Sequence, residues 1–541
     1  MSGSPEGPTA DVFDAVIVGA GFGGMCMLHH LRELGMTARV FEAGTDVGGT
    51  WYWNRYPGAR CDVESMEYSY GFSEELQQEW EWSERYAPQA EILGYLDHVA
   101  DRFDLRRDMQ FDTRVAGATF DEATERWTVR TEAGDEVTGQ FLVMATGCLS
   151  STNTPDFPGT DLFGGETYHT GRWPHEDVDF TGKRVGVIGT GSSAIQSIPL
   201  IAQEADHLYV FQRTATYAVP AHNGPLDPAE QAEVKADYAG LRAGNRLSMV
   251  GFGSRNPGGE EPALAATPEE RAAEFERRWE QGGLPFLGAY ADLLFDADAN
   301  ELAAEFVRDK IRKTVRDPEV AARLTPTTVI GCKRLCVDTG YYETFNRPNV
   351  TLVDVSETPI AGLTAEGLLV GDTDYQLDCI VFATGFDAMT GALLAVDIRG
   401  RDGRSLRDAW AEGPRTLLGL GVAGFPNLFT ITGPGSPSVL TNMVTSIEQH
   451  CEWISDCVGY LRDHGYRSIE ATESAQDQWV DHVNAVADMT LYPRCNSWYL
   501  GANVPGKSRV FMPLLGFPPY AEQCAAVAAN DYEGFALSSG G

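Results

Sequence analysis

Two glycine-rich runs, GAGFGG at Gly19–Gly24 and GTGSSA at Gly189–Ala194, could each hold an anionic pyrophosphate. Glycine permits the tight turn and close backbone approach that such a group needs, and a following helix N-terminus attracts its charge. A chain with two such runs can hold two nucleotides and pass electrons between them. Glu42, 18 residues beyond Gly24, stands where a carboxylate would bind a ribose hydroxyl pair. The second run differs: Arg213 stands 24 residues after Gly189, nearly where Glu42 stands 23 residues after Gly19. A carboxylate there would repel a 2′-phosphate, whereas a guanidinium binds one bidentately. The second nucleotide is therefore expected to be NADPH rather than NADH, and Lys333 could add a second positive charge.

These loops must sit between a strand and a helix. Ala15–Val18 is an apolar strand, followed by the turn and by a helix with apolar residues at Met25, Leu28, Leu31 and Leu34. ARVFE is the next strand, ending in Glu42, and KRVGVIGTGSSAIQSIPLIA followed by HLYVFQRT repeats the unit. Two further strands run into glycine turns, Phe141–Gly147 and Cys379–Phe386. Residues 227–320 are rich in Ala, Glu and Arg with helical periodicity, and a helix is expected near Met443–Leu461. The pattern predicts an α/β protein with two Rossmann-like dinucleotide-binding domains and a helical insertion in the second. The expected boundaries are 1–150 and 387–541 for the first domain, 151–222 and 324–386 for the second, and 223–323 for the insertion.

The net charge of −37 over 541 residues argues against binding nucleic acid or an anionic membrane. Any site for an anionic cofactor must be locally basic against that field. No stretch approaches the ~20 apolar residues of a membrane span, and the N-terminal run does not read as a secretory signal. A cytoplasmic location is expected. The ten cysteines lack the pattern of a disulfide framework, and Cys332 and Cys336 find no second pair to complete a zinc set, so no metal is expected. Reduced thiols are the expectation.

Between the two glycine runs lies FGGETYHTGRWP, Phe163–Pro174, which fits F-x-G-x-x-x-H-x-x-x-W-P. It resembles the fingerprint of flavin-dependent Baeyer–Villiger monooxygenases. GGTWYWNRYPGARCDVES at Gly48–Ser65 resembles a second family segment, and GCKRLCVDTGYYETFN carries a Lys333-Arg334 pair followed by Asp338, Tyr341, Tyr342 and Glu343. With ATGFDAMTGAL, GPGSPSVLTNM and SWYLGANVPGK, the likeness runs from about Asp14 to Phe535, to the phenylacetone and steroid monooxygenase branch.

That resemblance implies FAD in the first domain, NADPH in the second, and conversion of ketones to esters or lactones with O2 through a flavin C4a-peroxide. It implies Arg334 as the residue that stabilises the peroxide anion, with Asp62 orienting it. For FAD it implies contacts from Gly19, Gly21, Phe22, Gly24, Glu42, Thr50, Trp51, Tyr52, Trp53, Asp62, Tyr68, Val115 and Met443. For NADPH it implies Thr190, Gly191, Ser192, Ser193, Ala194, Gln196, Arg213, Thr214, Lys333, Arg334 and Trp498. The substrate wall would include Val63, Cys148, Leu149, Ser438, Val439 and Leu440. Cys148 replaces a glutamine of phenylacetone-type relatives and Val439 an alanine, departures that bear on substrate preference rather than reaction type. The expected partners are a small ketone and O2, with no nucleic acid or membrane, and the chain a monomer or weak homo-oligomer.

His169 invites a general-base role, but its segment joins two domains, and a structural or coupling role is expected. Two rival readings stay open. One is a flavin monooxygenase that oxidises amines or sulfides, which shares both loops without needing Arg334. The other is a flavoprotein sensor without turnover. Disulfide-reductase chemistry is disfavoured, since only Cys61 stands where such relatives carry a redox-active pair.

Overall fold

The computed structural model describes residues 11–507, 509 and 516–540. The strand Asp11–Val18 ends in four buried residues and runs through Gly19 into the helix Phe22–Glu33. Gly24 lies against the start of its own turn: a Cβ there would stand 1.8 Å from the Gly19 carbonyl oxygen. The unit recurs as the strand Arg184–Ile188 and the helix Ser192–Glu204. In neither helix does a side chain cap the first turn or an acid sit in it. Their leading N–H groups are therefore disposed to receive an anion.

The first sheet has eight strands among the described residues. Asp11–Val18 runs parallel to Ala38–Phe41 on one side and to Glu136–Met144 on the other. Leu428–Thr430 adds to Glu136–Met144 in parallel, while Val115–Asp121 and Arg126–Thr131 form an antiparallel meander beyond it. Side chains alternate between two cores. Ala15 and Ile17 join one with the helices Phe22–Glu33 and Met443–His464, and Val16 and Val18 join the other with Trp127 and Phe425. A sheet covered on both faces explains the unbroken apolar run.

The second sheet is parallel throughout, in the order Val350–Asp354, His207–Gln212, Arg184–Ile188, Cys379–Phe382 and Glu166–His169. The fingerprint segment thus supplies this sheet's edge strand, with His169 opposite Phe382. A 3₁₀ turn, Thr170–Arg172, then leads to Trp173, which is buried in the second core and donates its N–H to the Trp53 carbonyl in the first domain at 3.3 Å.

The helical segment divides its packing. Val234, Tyr238 and Leu241 of the helices Pro228–Ala236 and Tyr238–Leu247 join the first core. Phe275 of Pro268–Gln281 and Ala303, Val307 and Ile311 of Ala297–Thr314 join the second. The segment read from sequence as an insertion in the second domain therefore straddles both. No helix among the described residues is long and apolar enough to cross a membrane.

Candidate active site

Both glycine runs open onto one cleft of about 2050 Å³ between the two sheets, well beyond the roughly 300–1,000 Å³ of an ordinary small-molecule site. At the first loop a Cβ on Gly21 would stand 3.2 Å from the Gly49 Cα, so two glycine backbones pass in contact. Glu42 is buried, its carboxylate accepting from the N–H groups of Ala20 at 2.8 Å and Gly44 at 2.7 Å. That fixes it at the strand end with lone pairs still available to ribose hydroxyls. At the second loop a Cβ on Gly191 would meet nothing within 4 Å, leaving open space before the helix N-terminus. Thr190 Oγ1 donates to the Thr214 carbonyl at 2.7 Å, tying this loop to the strand end that carries Arg213. Lys333 lies close enough to Arg213 that burial first, and then the guanidinium charge, lower its pKa. Two cations held together with no acid paired to either among the described residues suit a dianionic phosphate.

The Lys333-Arg334 loop reaches the cleft through a short strand, Cys336–Asp338, parallel to Ala218–Pro220. Asp338 secures its far end, accepting from Gly340 N at 2.8 Å and Tyr341 N at 2.5 Å. Burial, with the Glu343 charge, pushes its carboxyl up to about 6 despite those bonds. Tyr342 donates its hydroxyl to the Thr216 carbonyl at 2.8 Å. The D-x-x-Y-Y-E run is thus the buttress of the arginine loop.

Arg334 grips Asp62 with two arms, Nε to Oδ2 at 2.5 Å and an Nη to Oδ1 at 2.8 Å. Its remaining Nη donates to the Val439 carbonyl at 2.7 Å. Both side chains are about one-fifth exposed (19% and 20%) and face the cleft. Burial alone would weaken the guanidinium's hold on its proton, but the Asp62 charge and hydrogen bonds outweigh it and raise the pKa well above the usual value. The fork leaves further N–H donors unengaged by Asp62 or Val439, so Arg334 can hold an anion without leaving its carboxylate. Beside it lies an apolar wall: Cys148, Met389, Val439, Tyr492 and Tyr499 are buried together, with Leu149, Leu440, Met443 and Trp498 packed against them. Burial pushes the Cys148 thiol up to about 11 and the Tyr499 hydroxyl up to about 12, the latter opposed by the Arg334 charge, so both are neutral at pH 7.

Most of the residues singled out in the sequence line this cleft: Gly19, Gly21, Phe22, Glu42, Thr50, Trp51, Trp53, Asp62, Val63, Tyr68, Val115, Cys148, Leu149, Thr190, Gly191, Ser192, Ser193, Gln196, Arg213, Thr214, Lys333, Arg334, Val439, Met443 and Trp498. Five do not. Gly24 and Ala194 face the packing beneath their helices. Tyr52 points its hydroxyl to Thr45 N at 3.0 Å and packs on His175. Ser438 is fully buried with its hydroxyl on the Met389 sulfur, and Leu440 packs behind the apolar wall. Gln196 lines the cleft, but its amide clasps the other domain, accepting from Tyr56 at 2.8 Å and donating to the Arg60 carbonyl at 3.1 Å.

His169 is nearly buried and lies at the strand end. Nδ1 accepts from Gly171 N at 3.0 Å, and Nε2 lies 3.3 Å from Thr384 Oγ1. Burial lowers its pKa. These contacts brace the crossing between domains.

The cysteine expectation is corrected: Cys332 and Cys495 form a disulfide across 163 residues, while the other eight are buried free thiols. Scattered spacing cannot reveal a pairing made by tertiary approach. Met389, Tyr492 and Tyr499 were also missed, although Met389 lies in the ATGFDAMTGAL stretch and Tyr499 in SWYLGANVPGK.

A model described as flavin-binding monooxygenase-like matches residues 14–223. A Baeyer–Villiger monooxygenase of Pseudooceanicola batsensis is 46% identical, covering 96% of this chain and 95% of the relative. A phenazine N-monooxygenase of Lysobacter antibioticus is 43% identical over 97% of both. Among solved structures, an oxidized steroid monooxygenase bound to NADP superposes with a TM-score of 0.94 at 54% identity, covering 98% of this chain and 100% of that one. The fold and the double-looped cleft are those of the flavin-dependent monooxygenases. Within that class, the chain belongs to the type I Baeyer–Villiger monooxygenases.

Proposed function

We propose that this protein converts a ketone, O2, NADPH and a proton to an ester or lactone, NADP⁺ and water. The observation that carries the reading is the Arg334–Asp62 fork, set in the cleft that both glycine loops share. The cradle at Gly21 and Gly49, the buried Glu42 carboxylate and the Arg213–Lys333 pair fit FAD in the first domain and NADPH in the second. Bound together, the cofactors supply the electrons and the activation of oxygen.

The chain's own residues do the rest. The leading N–H groups of the helices Phe22–Glu33 and Ser192–Glu204 bind the pyrophosphates. Glu42 holds the ribose of FAD, and Arg213 with Lys333 holds the 2′-phosphate. Arg334 holds the negative charge that develops on the reacting oxygen, a role suited to a guanidinium that stays protonated throughout. Asp62 and the Val439 carbonyl fix the guanidinium plane so that no reorientation is needed during reaction. The wall of Cys148, Met389, Val439, Tyr492 and Tyr499 excludes water and seats the ketone's apolar substituents. On this reading residues 1–150 and 387–541 form the FAD domain and 151–222 with 324–386 the NADPH domain. The enzyme acts in the cytoplasm as a monomer or weak homo-oligomer.

The phenazine N-monooxygenase relative keeps nitrogen oxidation in view as a second reading. Product analysis with phenylacetone and with an N-heteroaromatic separates them. Ester formation from the ketone supports the first, whereas N-oxide alone, with no ester across a ketone panel, overturns it.

A further inference from the structure

The Cys332–Cys495 bridge joins the two segments on which the cleft's cofactor side depends. Cys332 directly precedes Lys333 and Arg334. Cys495 directly precedes the stretch that carries Trp498 and Tyr499. Their Cα atoms lie 6.1 Å apart, and both residues line the cleft. We propose that Cys332 and Cys495 are a peroxide-responsive latch that, when closed, fixes the Trp498–Tyr499 segment over the Lys333-Arg334 loop and retains the second nucleotide.

Three features support this. The other eight cysteines are buried free thiols, so the bridge belongs to no disulfide framework. A single bridge beside a reaction site is the pattern of a redox-responsive pair rather than a scaffold. Each cysteine is also next in the chain to a basic residue, Lys333 after Cys332 and Arg494 before Cys495, and all four line the cleft where the oxygen chemistry takes place. The segment, finally, has little regular structure of its own. Two 3₁₀ turns, Tyr492–Arg494 and Trp498–Leu500, are held at the ends by Leu491 N on the Leu294 carbonyl at 2.9 Å and by Asn503 Nδ2 on the Phe386 carbonyl at 2.7 Å. Between those ends the disulfide is its covalent tie to the arginine loop.

The oxidant is hydrogen peroxide, the product when reduced flavin and O2 meet without ketone, so the latch rests on the oxygen chemistry inferred above. One thiolate attacks the peroxide O–O bond, giving a sulfenic acid and hydroxide. The second thiolate then displaces hydroxide from that sulfur. In sum two thiols and one H2O2 give a disulfide and two waters, the sulfur pair losing two electrons to the peroxide. A thiol reductant reopens the bridge by exchange.

The test uses the FAD-loaded full chain. Differential alkylation and peptide mass spectrometry follow Cys332 and Cys495 after dithiothreitol and then after hydrogen peroxide, and NADP⁺ affinity is measured in each state. The pair is expected to open and close reversibly, with NADP⁺ bound at least about fivefold more weakly when open. Cys332→Ser and Cys495→Ser should both bind as the open form does, whatever the redox treatment. Thiols that peroxide leaves unpaired, or equal NADP⁺ affinity in the two states, would overturn the latch. Absence of NADP⁺ binding in both states would instead overturn the cofactor assignment, and the retention role with it.

Discussion

Removing the guanidinium at position 334 should separate flavin reduction from ester formation. In Arg334→Ala the developing oxygen anion loses its countercharge, and Asp62, bound by two arms at 2.5 and 2.8 Å, becomes an unpaired carboxylate in the same cleft. Two unit charges about 4 Å apart attract by about 4 kcal/mol at an effective dielectric of 20. Because Arg334 is 19% exposed, solvent screening trims this, to about 2–4 kcal/mol. At 1.36 kcal/mol per decade, ester formation should fall by about 30-fold to about 1000-fold. Anaerobic stopped-flow reduction by NADPH should change by less than about threefold, since it develops no such oxygen charge. Oxygen consumed should reappear as hydrogen peroxide. Arg334→Lys keeps the charge but not the fork, and should fall between wild type and alanine. Gas chromatography of phenylacetone turnovers, with peroxide measured in parallel, makes the comparison. Ester yield from Arg334→Ala within about threefold of wild type would remove Arg334 from the chemistry.

Arg213→Ala should weaken NADPH by about 2 kcal/mol, roughly 30-fold, with far less effect on NADH. Titration of both nucleotides checks this, and equal losses would contradict the 2′-phosphate assignment. Glu67 is buried and accepts from Gly253 N at 2.9 Å. Burial, then the charge of Glu64, pushes its carboxyl up to about 7. The folded state therefore keeps a proton that the unfolded chain releases, and stability is lost as pH rises from about 4.5 to about 7. Glu67→Gln should raise the melting temperature at pH 8 and leave it nearly unchanged at pH 4.5; the opposite order would refute the assignment. Gly58 has φ +80°, and a Cβ there would stand 2.4 Å from the Gln196 carbonyl oxygen. Gly58→Ala should cost about 1–3 kcal/mol and loosen the contact between domains, seen as faster proteolysis between them.

What could be read from the sequence was local. Glycine runs, their flanking apolar strands and the ATG turns announce themselves within about twenty residues, because turn, strand and helix are decided by neighbours. The strand Cys379–Phe382 and the helix Met443–His464 accordingly fall where expected. Arg334 and Asp62 are 272 residues apart, and only likeness to a known family drew them together. The bridge from Cys332 to Cys495 had no such guide. Periodicity says that a helix has a buried face, not which core receives it, so the split allegiance of Pro228–Ala236 and Ala297–Thr314 was invisible. Gln196 carries a contact that sequence could not show: it lines the cleft, and its amide also reaches Tyr56 and the Arg60 carbonyl.

Among the described residues the edge strand Glu166–His169 pairs with Cys379–Phe382 alone, which in turn fills the gap beside Arg184–Ile188. During synthesis, then, the second sheet stays split until residue 382 has emerged. The first likewise waits for Asp397–Arg399 and Leu428–Thr430. The second glycine loop is thus mounted on a finished sheet while the first still lacks two strands, although the first loop is made earlier. The ribosome must deliver about four-fifths of the chain before the first sheet is whole, so no N-terminal fragment ending short of residue 430 should yield a stable flavin-binding unit.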